Sequence, residues 1–180
     1  MSNLEVNIQK TLEAKDLEKR LNIKWDLIQQ FPYDAGFDLR ACIPSPLRLL
    51  PTGHTTVPTG LHFELGNPNW EIQIRPRSGL AAKYGITVLN SPGTVDFGYR
   101  KEVKIILYNC DVYNDFLISP GDRIAQACFR EIPEIKFTYV DQISQVINVK
   151  QQQKKAVSLA EEMKNKLLQK RGGFGSTGAQ

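Results

Sequence analysis

The chain has 180 residues, 41% of them apolar and 23% charged, a balance that fits one globular domain and excludes a disordered tail or a continuous coiled coil. No apolar run approaches the roughly 18 residues of a membrane span, and the first twenty residues hold no apolar export core, so the expectation is a soluble cytoplasmic protein. The net charge of +4 suits any polyanion, from nucleic acid to a nucleoside triphosphate, and does not choose between them.

In chain order, residues 4–22 suggest a short charged helix, with Leu12, Leu17 and Leu21 near helical spacing. From Phe31 the character changes to short β-type runs at 35–41, 60–65, 70–75, 86–89, 103–108, 123–129 and 135–140, separated by proline and glycine. In WEIQIR (70–75), Trp70, Ile72 and Ile74 alternate with Glu71, Gln73 and Arg75, the period of a half-buried strand. Many short strands with turn signals predict an all-β fold, a sandwich, jelly roll or barrel, rather than βαβ units. Residues 151–170 predict an amphipathic helix, with Ala156, Leu159, Ala160, Met163 and Leu167 near one face and Glu162 one turn before Lys166. The expected organisation is a partly helical N-terminal extension (1–30), a β core (31–141), an inserted helical segment (142–170) and a glycine-rich tail (171–180).

Cys42, Cys110 and Cys128 show no CxxC spacing and read as reduced thiols; two histidines are too few for a histidine-based metal site. Two segments carry chemistry on their own terms. RPRSGLAAKYG (75–85) sets arginines, a hydroxyl and a glycine before a predicted turn of helix, a donor set for phosphate oxygens. GTVDFGYRKE (93–102) sets a carboxylate three residues before an aromatic, one able to polarise a water and the other to pack on a ring. Each segment alone reads better as a surface turn.

Taken together and in order, five segments resemble the five motifs of the trimeric dUTPase family: AGFDLRA (35–41), RPRSGLAAKYGI (75–86), NSPGTVDFGYRKEVKI (90–105), GDRIAQACF (121–129) and GGFGSTG (172–178). The resemblance implies a dUTPase-like β-barrel or jelly roll that hydrolyses dUTP to dUMP and pyrophosphate in dUMP biosynthesis and dUTP clearance. By the same resemblance Asp96 activates the water that attacks the α-phosphorus, and Tyr99 lies under the deoxyribose, leaving no room for a 2′-hydroxyl. Asn90 reads the uracil edge. Arg77, Ser78 and Gly79 bind the phosphates, Gln126 contacts the α-phosphate or the water, and Lys104 adds positive charge. Phe174 stacks on uracil while Gly175, Ser176 and Thr177 cap the β and γ phosphates, the tail closing as a lid delivered by a neighbour within a homotrimer. The implied cofactor is Mg2+, held through the substrate phosphates, with Asp38 either an indirect support or an ion-pair partner of a second-motif arginine.

Three departures from the family pattern stand out. Gln169 occupies the fifth-motif arginine position, so either Arg171 reaches the γ-phosphate from a shifted register, or Lys170 shares the task, or that contact is weaker; Lys101 replaces a glycine; Gly98 replaces a common acid. The 142–170 segment replaces a short tether, with the expectation that its apolar face packs on the trimer and still delivers Phe174; the alternatives are a solvated spacer or a docking surface for another protein. Rival readings are a dCTP deaminase-like nucleotide enzyme and a nucleotide-gated regulatory binding protein. A nucleic-acid binder ranks lowest, for want of an aromatic-interleaved basic stripe, and no membrane partner is expected.

Overall fold

The computed structural model describes residues 4–141 and 157–166. Within residues 1–135, eleven strands and two helices follow in order: β1 (Val6–Lys10), α1 (Leu12–Leu21), β2 (Phe37–Arg40), β3 (Leu47–Leu49), β4 (His54–Pro58), β5 (Leu61–Leu65), β6 (Trp70–Arg75), α2 (Ser78–Tyr84), β7 (Ile86–Val88), β8 (Gly93–Val95), β9 (Lys104–Asn109), β10 (Phe116–Ile118) and β11 (Arg123–Glu131). Residues 157–166 form a separate helix, exposed along its described length. The rest of the 142–170 segment and the whole 171–180 tail lie outside the described residues.

Among the described residues all strand pairings are antiparallel and fall into four small sheets: β2-β11-β6-β8, β4-β9-β7, β1-β5 and β3-β10. The alternation read from WEIQIR is the one observed, with Ile72 and Ile74 buried and Glu71, Gln73 and Arg75 partly exposed. Partners directly opposite in an antiparallel ladder share a face. Ile74 stands opposite Ala127 and Gly93, while Arg75 stands opposite Gln126, which in turn faces Asp38 on β2. One side of the four-stranded sheet is therefore apolar and joins the core with Leu39, Val57, Ile105 and Ile118, and the other side is polar.

Within the β core, two features differ from the sequence reading. Residues 135–140, expected as a strand, carry no strand; their apolar residues Ile135, Phe137 and Val140 are largely exposed, so β propensity here finds no partner edge. The strands β1, β3, β4, β8 and β10 are additional to those expected, because three to five residues beside prolines or charges give too little period to read.

The N-terminal stretch, read from the sequence as one helix over 4–22, is a strand followed by a helix; the helix is built into the core, and the strand lies at its edge with Val6 partly buried against it. Strand β1 extends β5, while α1 buries Ala14 and Leu17 and leaves Leu12 exposed, so the helix turns a face different from the one expected. Thr11 caps α1 by accepting the Ala14 N–H at 3.1 Å, and Asn22 ends it in the left-handed conformation. Trp25 follows, fully buried, its indole N–H donating to Thr59 O at 2.8 Å. The turn between β4 and β5 is where this element sits closest. Gly60 has φ +70°, and a Cβ there would stand 2.5 Å from the Cβ of Ala14 and 2.8 Å from Cys42 Sγ. Burial pushes the Cys42 thiol up to about 11, which leaves it a packing group rather than a nucleophile.

A charge cluster ties the same element together. Lys10 Nζ lies 2.9 Å from Glu18 Oε1 and 2.9 Å from Asp26 Oδ1, and Glu18 also accepts the Trp25 N–H at 2.9 Å. Burial alone would lower the Lys10 pKa, but hydrogen bonds to Asp26 and Glu18 outweigh it and raise the value. The Trp25 N–H and then Lys10 lower that of Glu18, and Lys10 lowers that of Asp26.

Gly60→Ala should cost about 2–4 kcal/mol in urea unfolding, the sum of a left-handed alanine and an overpacked contact. Lys10→Met should lower the Tm between about pH 5 and pH 10. The carboxylates, whose folded values are depressed, lose their contribution as pH falls through those values, and the raised lysine loses its own as pH rises through its folded value. The gap between wild type and Lys10→Met should therefore close at both extremes in a pH series of thermal melts.

Candidate active site

Two clefts hold the described sequence-predicted residues except Asp96, which lines neither. The larger, of about 620 Å³, lies on the polar side of the four-stranded sheet and is lined by Asp38, Arg75, Arg77, Ser78, Gly79 and Gln126 among others. In its lining the Asp38 carboxylate holds two guanidinium groups, of which only Arg77 borders this cleft. Arg77 Nε donates to Asp38 Oδ1 at 2.7 Å, and Arg123 Nη1 donates to Asp38 Oδ2 at 3.1 Å, with the Asp38 side chain only 15% exposed. Of the two roles open to Asp38 in the sequence, the ion pair with Arg77 is thus present. Charge-assisted bonds of this kind fix the direction of a guanidinium, so Arg77 is oriented before any ligand arrives.

Arg77 is also the N-cap residue of α2, which places Ser78 and Gly79 in the first turn, where backbone N–H groups have no earlier carbonyl to bond. A Cβ at Gly79 would meet nothing within 4 Å, so packing inside the chain does not require glycine there. Gly36 is different: a Cβ there would overlap Oε1 of Gln126. Glycine at 36 thus lets Gln126 lie along the cleft while its Nε2 donates to Pro76 O at 2.9 Å.

The smaller cleft, of about 120 Å³, is lined by Asn90, Gly93, Thr94, Tyr99 and Lys104 over a floor of Ile74, Val88, Val95, Val103 and Ile105. Gly93 leaves room for the Asn90 amide, whose Nδ2 lies 3.2 Å from where a Cβ would be. Its volume falls below the roughly 300–1,000 Å³ typical of whole-ligand pockets. It offers space for one ring and not for a nucleotide with its phosphates. Asp96 follows β8 directly, exposed; its carbonyl accepts the Tyr99 N–H at 3.0 Å, and among the described residues its carboxylate has no hydrogen-bond partner.

The two clefts are separated by the pleat of one strand. Ile74 borders the ring-sized cleft and Arg75, its neighbour on β6, borders the larger one; adjacent residues of a strand point to opposite faces. Within one chain, Asn90, Tyr99 and Lys104 therefore line one cleft and Arg77, Ser78, Gly79, Gln126 and Asp38 the other. Arg171, Phe174, Gly175, Ser176 and Thr177 lie outside the described residues.

Sequence reasoning missed Arg123. It belongs to the quoted segment GDRIAQACF, but its partnership with Asp38, 85 positions away, depends on the β2–β11 register with its irregularity between Arg123 and Ala125. No spacing in the sequence reveals that contact. Among the described residues there is no group of three or more histidine, cysteine or acidic side chains placed to hold a metal ion.

The dUTPase family model matches residues 24–144. The chain is 45% identical over 150 residues to the deoxyuridine 5′-triphosphate nucleotidohydrolase of Chlamydia pneumoniae, covering 82% of this chain and 87% of that one. It is 45% identical over 145 residues to the enzyme of the same name from Treponema pallidum, covering 80% and 84%. In fold it is similar to a point-mutant dUTPase from phage phi11 of S. aureus, described with a coordinated structural Mg(II) ion, at TM-score 0.63, 17% identity and coverage of 79% and 99%. Native EIAV dUTPase is also similar, at TM-score 0.58, 20% identity and coverage of 78% and 100%. The motifs, the all-β fold and this extent of identity place the chain in one group: it belongs to the dUTPase family.

Proposed function

We propose that the chain hydrolyses dUTP to dUMP and pyrophosphate at sites that combine the ring-sized cleft of one copy with the phosphate-type cleft of another. The observation that carries this reading is the split across β6. The groups suited to a base and sugar and the groups suited to a triphosphate lie on opposite faces of one strand, so a single copy offers only half-sites to one substrate molecule. A closed homotrimer brings unlike faces together, with the 171–180 tail of a neighbour as the lid.

In this reading uracil enters beside Asn90 and the deoxyribose rests on Tyr99, whose ring leaves no space for a 2′-hydroxyl. The Asp96 carboxylate takes a proton from a water as its oxygen bonds to the α-phosphorus, and the bond from that phosphorus to the bridging oxygen breaks to release pyrophosphate. Ser78, the Gly79 backbone and Arg77 stabilise charge on the departing phosphates, and Gln126 holds the water or the α-phosphate. Lys104 adds positive charge. Phe174 closes over uracil while Gly175, Ser176 and Thr177 meet the terminal phosphates, with Arg171 near the γ-phosphate. Lid closure excludes bulk water from the reacting atoms.

The residues fit magnesium in one particular way. Both Asp38 oxygens are engaged by arginines, and the described residues offer no protein cage, so the ion would be held through the phosphates and water. Bound there, Mg2+ neutralises phosphate charge; Asp38 supports the site by orienting Arg77.

Asp96→Asn should lower pyrophosphate release from dUTP by about 10²–10⁴-fold, and the wild type should act on dUTP far faster than on dCTP, dTTP or UTP. Ammonia release from dCTP would support the deaminase alternative instead. A mixing experiment tests the shared site. Separately inactive Asp96→Asn and Arg77→Ala chains, co-refolded at equal amounts, should regain about a quarter of wild-type activity, the chance that one site draws both intact halves from different copies. No recovery despite mixed assemblies would place both halves in one chain.

A further inference from the structure

Tyr99 sits in the 97–103 segment, between β8 and β9, and is 39% exposed. Such a segment can hold an aromatic ring steady only if its backbone is anchored elsewhere. Its anchor is the Thr59–Gly60 turn between β4 and β5. Gly60 N–H donates to Glu102 Oε1 at 2.8 Å. Thr59 donates to Val103 O through both its N–H, at 3.2 Å, and its hydroxyl, at 2.7 Å, and Val103 N–H donates to Leu61 O at 2.9 Å.

Glu102 joins this anchor to the aromatic. Its carboxylate takes the Gly60 N–H, and its own carbonyl accepts the Tyr99 hydroxyl at 3.0 Å. A bond to a carboxylate is among the stronger backbone contacts. On its other side the turn is braced by the N-terminal element, through Thr11 N–H to Gly60 O at 2.9 Å and the Trp25 indole to Thr59 O at 2.8 Å. That brace starts outside the stretch matched by the family model, since Thr11 precedes residue 24.

We propose that Glu102 is a positioning residue for sugar selection. Its side chain fastens the Tyr99 segment to the Thr59–Gly60 turn, and its carbonyl sets the height of the Tyr99 ring beneath the sugar. The proposal rests on the reading of Tyr99 as the deoxyribose platform.

The readout is the ratio of kcat/KM for dUTP to that for UTP, with Tm measured in parallel, for Glu102→Ala, Glu102→Gln, Tyr99→Phe and Tyr99→Ala in the full chain. Glu102→Ala should lower the ratio about tenfold, mainly through a higher KM for dUTP, while Glu102→Gln, which keeps an acceptor for Gly60, recovers most of it. Tyr99→Phe, which should fold normally, should lower the ratio several-fold by cutting the phenol–carbonyl link. A purely structural glutamate would lower Tm and the active fraction alike for both nucleotides and leave the ratio unchanged. If Tyr99→Ala collapses the ratio while Glu102→Ala and Tyr99→Phe preserve it, the positioning role is wrong and the platform stands. If Tyr99→Ala also preserves it, the platform reading fails and the proposal with it.

Discussion

The register between β6 and β11 is the constraint on which the rest depends. It runs from Gln126 opposite Arg75 to Glu131 opposite Trp70. It sets Ile74 against Ala127 on the core side and stacks Arg75, Gln126 and Asp38 in one row on the polar side. A slip of one residue would send Ile72 and Ile74 to solvent and bury an arginine, so the packing of the core enforces the polar row. The Asp38 clamp on Arg77 and Arg123 follows from that row. Stability and the aim of the phosphate-type donors thus share one origin, and each is hard to change alone.

A similar economy holds on the other side of the molecule. The ring-sized cleft has a floor of buried valines and isoleucines that also close the core, and polar groups enter only at its rim. Its aromatic belongs to a segment tied by backbone bonds to the Thr59–Gly60 turn, and that turn accepts α1 at a contact only glycine permits. The N-terminal stretch is therefore joined to the cleft by a short chain of hydrogen bonds, although no residue of β1 or α1 lines it.

The sequence made the β class, the alternation in WEIQIR and the two chemistry-bearing segments legible, because each has a local signature: period two, turn residues, or an ordered motif. What stayed hidden is non-local. Arg123 meets Asp38 only through a register 85 positions apart, and the separation of the candidate residues into two clefts requires knowing which face each strand turns inward. The short strands β3, β8 and β10 carry too few residues for a period, while 135–140 shows that a β-like composition without a partner edge does not make a strand. The helix expected over 151–170 is helical where described, at 157–166; the periodicity says nothing of what its apolar residues meet.

The two-faced character of β6 has a consequence for how this strand tolerates change. Ile72 and Ile74 answer to volume and shape, since their neighbours are packed side chains; Gln73 and Arg75 answer to charge and reach, since their neighbours are polar and partly exposed. A saturation scan along Trp70–Arg75 should give two interleaved profiles in opposite phase, with losses of foldedness at the inward positions and losses of turnover at the outward ones. Drift in this strand is thereby confined to alternate letters, each policed by a different physical demand.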